Sequence, residues 1–315
     1  MSRVSKSQKI SVIMTTYNRS YFLPQAIEGI LSQTFDDFEF ILVNNGSTDE
    51  SAEICRKYAE IDHRIKIIEI FENKGASSGK NKGIAAATSE YITIVDDDDY
   101  CEPGMLEFLW NLSQKYSADI SMCGSWNNIE GELEPYFIFD ELLVLDRVEG
   151  LNELLLREKY NVAPPTKLFR KILFEGIQFQ DNVLVDDIHI IYKVFANADV
   201  VVAHGKPLYI FRKHEGNMTS FIQTNKIPPA LLSEYLSAFC ERTEYLSKKV
   251  PDIAPRAKYS ELSYMISMCD KLSNSTECVE LFNSMKMILR KNYNELMSSL
   301  FTTDREKSIL RDLLA

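Results

Sequence analysis

Over the first 125 residues, apolar and polar positions alternate with a regular period. Ile10–Met14 is a short unbroken apolar run with β-branched residues, which predicts a strand buried on both faces. Over Tyr21–Gln33 the residues Phe22, Ala26, Ile27, Ile30 and Leu31 recur at helical spacing. Phe38–Val43 predicts a second strand. A helix is expected after Gly46-Ser47-Thr48, running through about Glu60 with Ser47 or Thr48 as its N-cap. Ile65–Ile70, Ser77–Ala87 and Tyr91–Val95 predict strand, helix and strand. Such alternation with short connections means βαβ units, hence an α/β fold with a mostly parallel sheet covered by helices on both faces. In such sheets the ligand lies beyond the carboxyl ends of the strands, so candidate chemistry is sought there.

From about residue 126 the period loosens. Trp126–Leu145 mixes aromatic and acidic residues and is expected to add strands flanking the main sheet. Leu151–Glu158 reads as helix, Pro164-Pro165 breaks the chain, and Val185–Ala198 predicts a single helix. Val200–Ala203 and Leu208–Arg212 read as two strands. Beyond Pro228-Pro229 the composition is helix-forming to the end, with Pro251 and Pro255 as interruptions. The expected organisation is an α/β domain over 1–225, in halves 1–125 and 126–225, followed by a helical extension over 226–315.

Charge changes this picture in one respect. The 46 Asp+Glu against 35 Lys+Arg give a formal charge of −11, which argues against nucleic acid as a partner. Residues 241–315 hold 12 Lys+Arg and 11 Asp+Glu, so the acid excess belongs to the α/β part. The six cysteines show no zinc-like spacing and no dense framework, which leads to the expectation of reduced thiols in a cytoplasmic protein. Ile10–Met14 is too short for a signal sequence, and no apolar run is long enough to span a bilayer. In the tail, Met285, Met287, Ile288, Leu289, Leu296 and Leu300 interleave with Lys286, Arg290 and Lys291. Core packing is the plainer reading of that mix. The alternatives are homo-oligomer formation through these helices and peripheral association with the inner face of the cell membrane.

The residues after each predicted strand are polar in a consistent way. Thr15-Thr16-Tyr17-Asn18-Arg19 follows the first, Asn44-Asn45-Gly46-Ser47-Thr48-Asp49 the second, and Asn73-Lys74-Gly75 leading to Gly79-Lys80-Asn81-Lys82-Gly83 the third. Singly these are turn chemistry. Together they place hydroxyls, amides and glycines on one sheet edge, where Tyr17 offers a stacking face. After the fourth strand come Asp96, Asp97, Asp98 and Asp99. Four like charges abutting an apolar strand need solvation or a neutralising cation, and carboxylate oxygens suit Mg²⁺ or Mn²⁺ bridging to phosphate.

In order and spacing these stretches resemble the inverting glycosyltransferases of family 2, with their nucleotide-diphospho-sugar-binding GT-A fold. The resemblance rests on residues 11–18, 31–35 and 38–49, on Asn81-x-Gly83-Ile84-Ala85 and on Asp96-x-Asp98. It continues through Lys167-Leu168-Phe169-Arg170, Val185-Asp186-Asp187 and Tyr209-x-Phe211-Arg212-x-His214, and ends near residue 220. It implies that Thr15, Tyr17 and Asn45 hold the nucleobase and that Asp96 contacts ribose or metal. Asp98 binds the metal, with Asp96 and His214 as further ligands. Asp97, Lys80 and Arg212 belong to the donor site, and Asp187 is the general base. Three positions depart from the usual pattern: Asn44-Asn45 for Asp-Asp, Lys80 for Arg, and Asp186 for Glu. Asn45 can still accept a hydrogen bond from a uracil N–H through its carbonyl oxygen, so a UDP-sugar stays the first expectation.

The expected activity is metal-dependent transfer from a nucleotide-sugar to a glycan or lipid-linked oligosaccharide in bacterial surface polysaccharide, lipopolysaccharide or glycoprotein synthesis. A metal-dependent phosphatase or nucleotidyltransferase is a rival. A phosphatase with an Asp nucleophile would carry its Asp-x-Asp after the first strand, where this chain has Thr-Thr-Tyr-Asn, and the P-loop pattern is absent. A non-catalytic sugar-nucleotide-binding subunit is the third reading, against which the presence of Asp187 argues.

Overall fold

In the computed structural model, which describes residues 8–214, 216–217, 227–273 and 276–314, the expected alternation is present. β1 (Ile10–Thr16), β2 (Phe38–Asn45), β3 (Ile65–Ile70) and β4 (Tyr91–Asp96) pair in parallel in the order β3-β2-β1-β4. Their connections are α1 (Leu23–Leu31), α2 (Ser51–Ile61) and α3 (Gly75–Ala86). Register sets Thr15 of β1 opposite Val43 of β2 on one side and Asp96 of β4 on the other. The polar strand ends therefore lie level along one edge.

Beyond β4 the strand directions mix. After β5 (Tyr100–Cys101) and α4 (Met105–Tyr116) come β6 (Ile120–Ile129), β7 (Glu132–Tyr136), β8 (Leu142–Asp146) and α5 (Arg147–Leu156). β9 (Lys167–Arg170) lies antiparallel between β4 and β6, and β6 runs parallel to β10 (Val200–Lys213). The two strands expected at 200–203 and 208–212 are one, irregular around Pro207, which has no N–H to give the ladder.

Three local expectations fail for identifiable reasons. α2 is not capped by Ser47 or Thr48: Asp49 accepts the Ser51 N–H at 2.9 Å. The Ser47 hydroxyl accepts the Asn18 N–H, and the Thr48 N–H donates to Asn18 Oδ1, tying two strand-end loops together. α5 begins before Leu151, because Asp146 and Glu149 form a capping box. The single helix expected over Val185–Ala198 is split into a 3₁₀ turn at Asp187–His189 and the short α6 (Ile191–Phe195), with Ile190 off helical φ between them. α4 and most of β6 lay in a stretch where no element was expected.

α3 has no apolar stripe, and its small residues explain how it packs. A Cβ at Gly79 would lie 2.2 Å from Thr15 Cγ2, and one at Gly83 would lie 2.4 Å from Ile13 Cγ2. Only hydrogen at both positions lets α3 approach β1 this closely. At the opposite end of the strands, the buried Glu39 carboxylate accepts from the Ser11 hydroxyl at 2.6 Å, from the Thr88 N–H and hydroxyl, and from Lys66. Burial opposes its ionisation, but these donors together hold its pKa down at about 2.

The chain divides into two compact units, Met1–His214 and Glu215–Ala315. The boundary expected at 225/226 falls outside the described residues. The second unit consists of α7 (Pro229–Lys249), α8 (Ala254–Leu272), α9 (Val279–Lys291), α10 (Tyr293–Ser298) and α11 (Asp304–Leu314). A 3₁₀ turn at Pro251–Ile253 separates α7 from α8, whereas Pro255 sits in the first turn of α8 and interrupts nothing. Met285, Leu289 and Leu296 enter this unit's core, while Met287 and Leu300 are exposed. No helix among the described residues is long and apolar enough to cross a membrane.

Gly83→Ala should lower stability by about 1–3 kcal/mol in urea unfolding. Gly104→Ala, whose Cβ would meet nothing within 4 Å, serves as the control. A depressed carboxylate pKa stabilises above the unfolded value and is lost as pH falls through the folded one. Wild type should therefore exceed Glu39→Gln by an amount on the order of 3 kcal/mol at pH 6, narrowing toward pH 2–3. An equal gap at both pH values would contradict this account of Glu39.

Candidate active site

The ends of β1 and β2 present acceptors that the fold leaves unused. Gly46 has a φ of +77°, a turn that suits glycine and directs the chain away after Asn44 and Asn45. Asn44 is spent internally: its Nδ2 donates to Glu69 and its Oδ1 accepts the Ser47 N–H. Asn45 is only half spent. Its Nδ2 donates to Asn73 Oδ1 at 3.0 Å and to the Gly75 carbonyl at 2.8 Å, which sets the amide's orientation. Its Oδ1 is buried and accepts nothing, and Thr15 Oγ1 is likewise buried without a partner. Two oriented polar atoms are thus left for a ligand. Tyr17 is 40% exposed beside them in sequence.

The acidic run divides by role. Asp99 is structural: Tyr209 donates its hydroxyl to Asp99 Oδ2 at 3.0 Å and accepts the Asp96 N–H at 3.1 Å. The Arg212 N–H donates to Asp99 Oδ1 at 2.7 Å. This clamp joins the end of β4 to the end of β10 and brings His214 beside Asp98, Nε2 to Oδ2 3.1 Å. Arg19 Nε lies 3.7 Å from Asp98 and 3.9 Å from Asp97. The His214 ring stacks on Phe22 at 4.6 Å. Arg212 lies over the Phe22 ring and donates to Gln25 Oε1.

Across the edge, Lys80 of α3 donates to both oxygens of Asp186 at 2.9 Å. The residue expected to reach a phosphate is thus engaged by a carboxylate. Burial would lower the Lys80 pKa, but Asp186 and Asp96 raise it above the ordinary lysine value. Asp187 opens the 3₁₀ turn without capping it, and its Oδ1 is buried with no hydrogen-bond partner. Burial, then the neighbouring Asp186 carboxylate, push Asp187 above the usual carboxylate range. Burial, partly offset by Lys80 and reinforced by Asp98, pushes Asp96 up to about 7. Burial and Asp98 push Asp97 up to about 7, and burial with Asp96 and Asp98 raises Asp99 well above the usual carboxylate range.

Among the described residues no three His, Cys, Asp or Glu side chains converge into a cage for a metal ion. What is present is the Asp98–His214 pair beside the Asp96 and Asp97 carboxylates, which burial first and the Asp98 charge second hold above their usual range. That fits Mg²⁺ or Mn²⁺, which commonly take one or two carboxylates and complete their shell with waters and substrate phosphates.

Sequence reasoning missed Arg19 as the cation facing the acidic run, the Asp99–Tyr209 clamp, and Asn81 and Phe179 beside Lys80. Arg19 could have been found by asking which cation closes the first strand-end loop. Asp99, Tyr209 and Asn81 stand in the quoted motifs, but their pairings carry no local signal, since Asn81 and Phe179 are 98 residues apart and Asp99 and Tyr209 110.

Residues 11–175 match Glycosyl transferase family 2. The chain is 32% identical to glycosyltransferase GlyG of Streptococcus pneumoniae over 220 residues, 67% of this chain and 73% of that one. Against glycosyltransferase GlyA of the same organism, 32% identity over 234 residues spans 71% of this chain but 33% of GlyA. Residues 1–349 of S. aureus TarS in complex with UDP-GlcNAc share the fold, with a TM-score of 0.64 at 16% identity over 97% of this chain and 89% of that one. The mannosyltransferase PcManGT of Pyrobaculum calidifontis, in complex with GDP-Man and Mn²⁺, gives 0.50 at 15% identity over 98% and 86%. With the level strand ends and the matched order of their motifs, these similarities show that the chain belongs to glycosyltransferase family 2 and has the GT-A fold.

Proposed function

We propose that the protein is a metal-dependent inverting glycosyltransferase that moves a sugar from a UDP-sugar to a hydroxyl of a glycan or lipid-linked acceptor in bacterial surface glycan synthesis. One observation carries the reading: buried acceptors without partners, Asn45 Oδ1 and Asp187 Oδ1, belong to a site that also holds the Asp98–His214 pair. An unpaired buried acceptor costs about 1–3 kcal/mol, which a ligand donor returns. The Asn45 carbonyl oxygen suits the imide N–H of uracil, because its own N–H groups are already spent on Asn73 and Gly75. Thr15 Oγ1 offers a second contact to the base and Tyr17 a stacking face. Similarity to TarS, whose complex holds UDP-GlcNAc, supports the uridine choice.

Asp98 and His214 would hold the cation, with Asp96 beside them toward ribose or metal. Bound there, a divalent ion supplies Lewis-acid stabilisation of the charge that grows on the leaving diphosphate. Asp187 accepts the proton of the acceptor hydroxyl as its oxygen bonds to the anomeric carbon and the bond from that carbon to UDP breaks. Attack from the face opposite the leaving group inverts the centre. A carboxylate raised above its usual range is a stronger base for this step.

UDP-sugars with Mn²⁺ or Mg²⁺ should raise the melting temperature more than metal or nucleotide-sugar alone. Absence of any such shift across UDP-, GDP- and dTDP-sugars would remove the donor site. Asp187→Asn should keep donor binding while transfer falls by roughly 10²-fold or more. Asp98→Ala should instead weaken metal-dependent donor binding, as read by calorimetry with and without Mn²⁺.

A further inference from the structure

Asp187 follows a segment with no ladder to hold it. Residues 175–186 run without helix or strand between the 3₁₀ turns Lys171–Phe174 and Asp187–His189. A general base must be held to well under an ångström, so an irregular segment needs an external support.

Two consecutive residues of α3 provide it. Asn81 Nδ2 donates to the Phe179 carbonyl at 2.8 Å, and Asn81 Oδ1 accepts the Phe179 N–H at 2.9 Å. One amide thus takes the place of a neighbouring strand for that residue's whole backbone. The Phe179 ring is buried, 2% exposed, and Lys80 Nζ sits 5.1 Å from its centroid. Lys80 also donates to both oxygens of Asp186, the residue before the base, and the two side chains are only 12% and 10% exposed. α3 is itself seated on β1 through Gly79 and Gly83. A path of short contacts therefore runs from the central sheet through α3 to Phe179 and to Asp186, the residue bonded to Asp187.

We infer that Lys80 and Asn81 are positioning residues for sugar transfer: they clamp Phe179 and Asp186 so that the Asp187 carboxylate is aimed at the acceptor. The charge of Lys80 is committed to Asp186 and not to the donor phosphates. This rests on the reading of Asp187 as the general base.

Steady-state kinetics separate the alternatives. Lys80→Met and Asn81→Ala should each lower kcat by roughly 10- to 100-fold while donor KM and UDP affinity stay within about twofold. Asp186→Asn should match Lys80→Met, and the Lys80→Met/Asp186→Asn double variant should be no worse than either single one. Hydrogen exchange should rise in peptides covering 177–190 of Asn81→Ala and Lys80→Met and stay unchanged in β1, β2 and β4. If Asp187→Asn is inactive but Lys80→Met raises donor KM with kcat intact, Lys80 is a donor ligand and the clamp is overturned while the base assignment stands. Unchanged exchange and unchanged kcat in Asn81→Ala also overturn the clamp. Wild-type kcat in Asp187→Asn would remove the base assignment and the positioning role with it.

Discussion

The constraint on which this site depends is the crowding of carboxylates at one edge of a buried sheet. Asp96 to Asp99, Asp186 and Asp187 meet there; among the described residues Lys80 pairs with Asp186, Arg19 faces Asp97 and Asp98, and His214 lies beside Asp98. Burial makes a negative charge expensive there, and a like charge nearby adds to the cost. The fold answers with three distinct devices. Asp99 is satisfied by a tyrosine hydroxyl and a backbone N–H, Asp186 by a lysine, and Asp98 by an arginine and a histidine. Burial keeps Asp96, Asp97, Asp99 and Asp187 above the usual carboxylate range, and of these Asp96 and Asp187 are the ones proposed to face ligand and acceptor.

Packing delivers those residues to one place. Parallel register makes Thr15 and Asp96 immediate neighbours on adjacent strands. The Asp99–Tyr209 clamp fastens the start of the basic stretch, more than a hundred residues later, to the same edge. α3 lies close enough to β1 to matter only because Gly79 and Gly83 lack side chains. A helix with a conventional apolar stripe would stand further off, and Lys80 and Asn81 would lose their grip on the segment before the base. If Asp187 acts as proposed, the glycine spacing serves transfer as well as packing.

The two units carry unequal information about function. Met1–His214 holds every residue assigned to the donor, metal and base. Glu215–Ala315 has its own core, built from Leu262, Ile266, Cys269, Met285 and Leu289, which accounts for most of the apolar residues that a membrane-surface reading would have used. Met287 and Leu300 remain exposed in that unit.

Much of the site was legible in the sequence because its chemistry is local. A short apolar run followed by a polar loop identifies a strand end, and four such runs in βαβ order place those ends together before any coordinate is known. Asp96, Asp98, Asn45 and Asp187 stand out as candidates in this way or through ordered motifs. What the tertiary structure alone decided is which partner each polar group takes. Ser47 and Thr48 read as an N-cap but join two loops, because Asn18 reaches them from another strand end. Lys80 reads as a phosphate ligand but meets Asp186, because the irregular segment folds back over α3. Asn81 holds Phe179 across 98 residues, a pairing that no local propensity encodes. Periodicity and turn chemistry act over a few residues and so are written in the order of the chain; the partners of buried charges are chosen by proximity in space, which only packing creates.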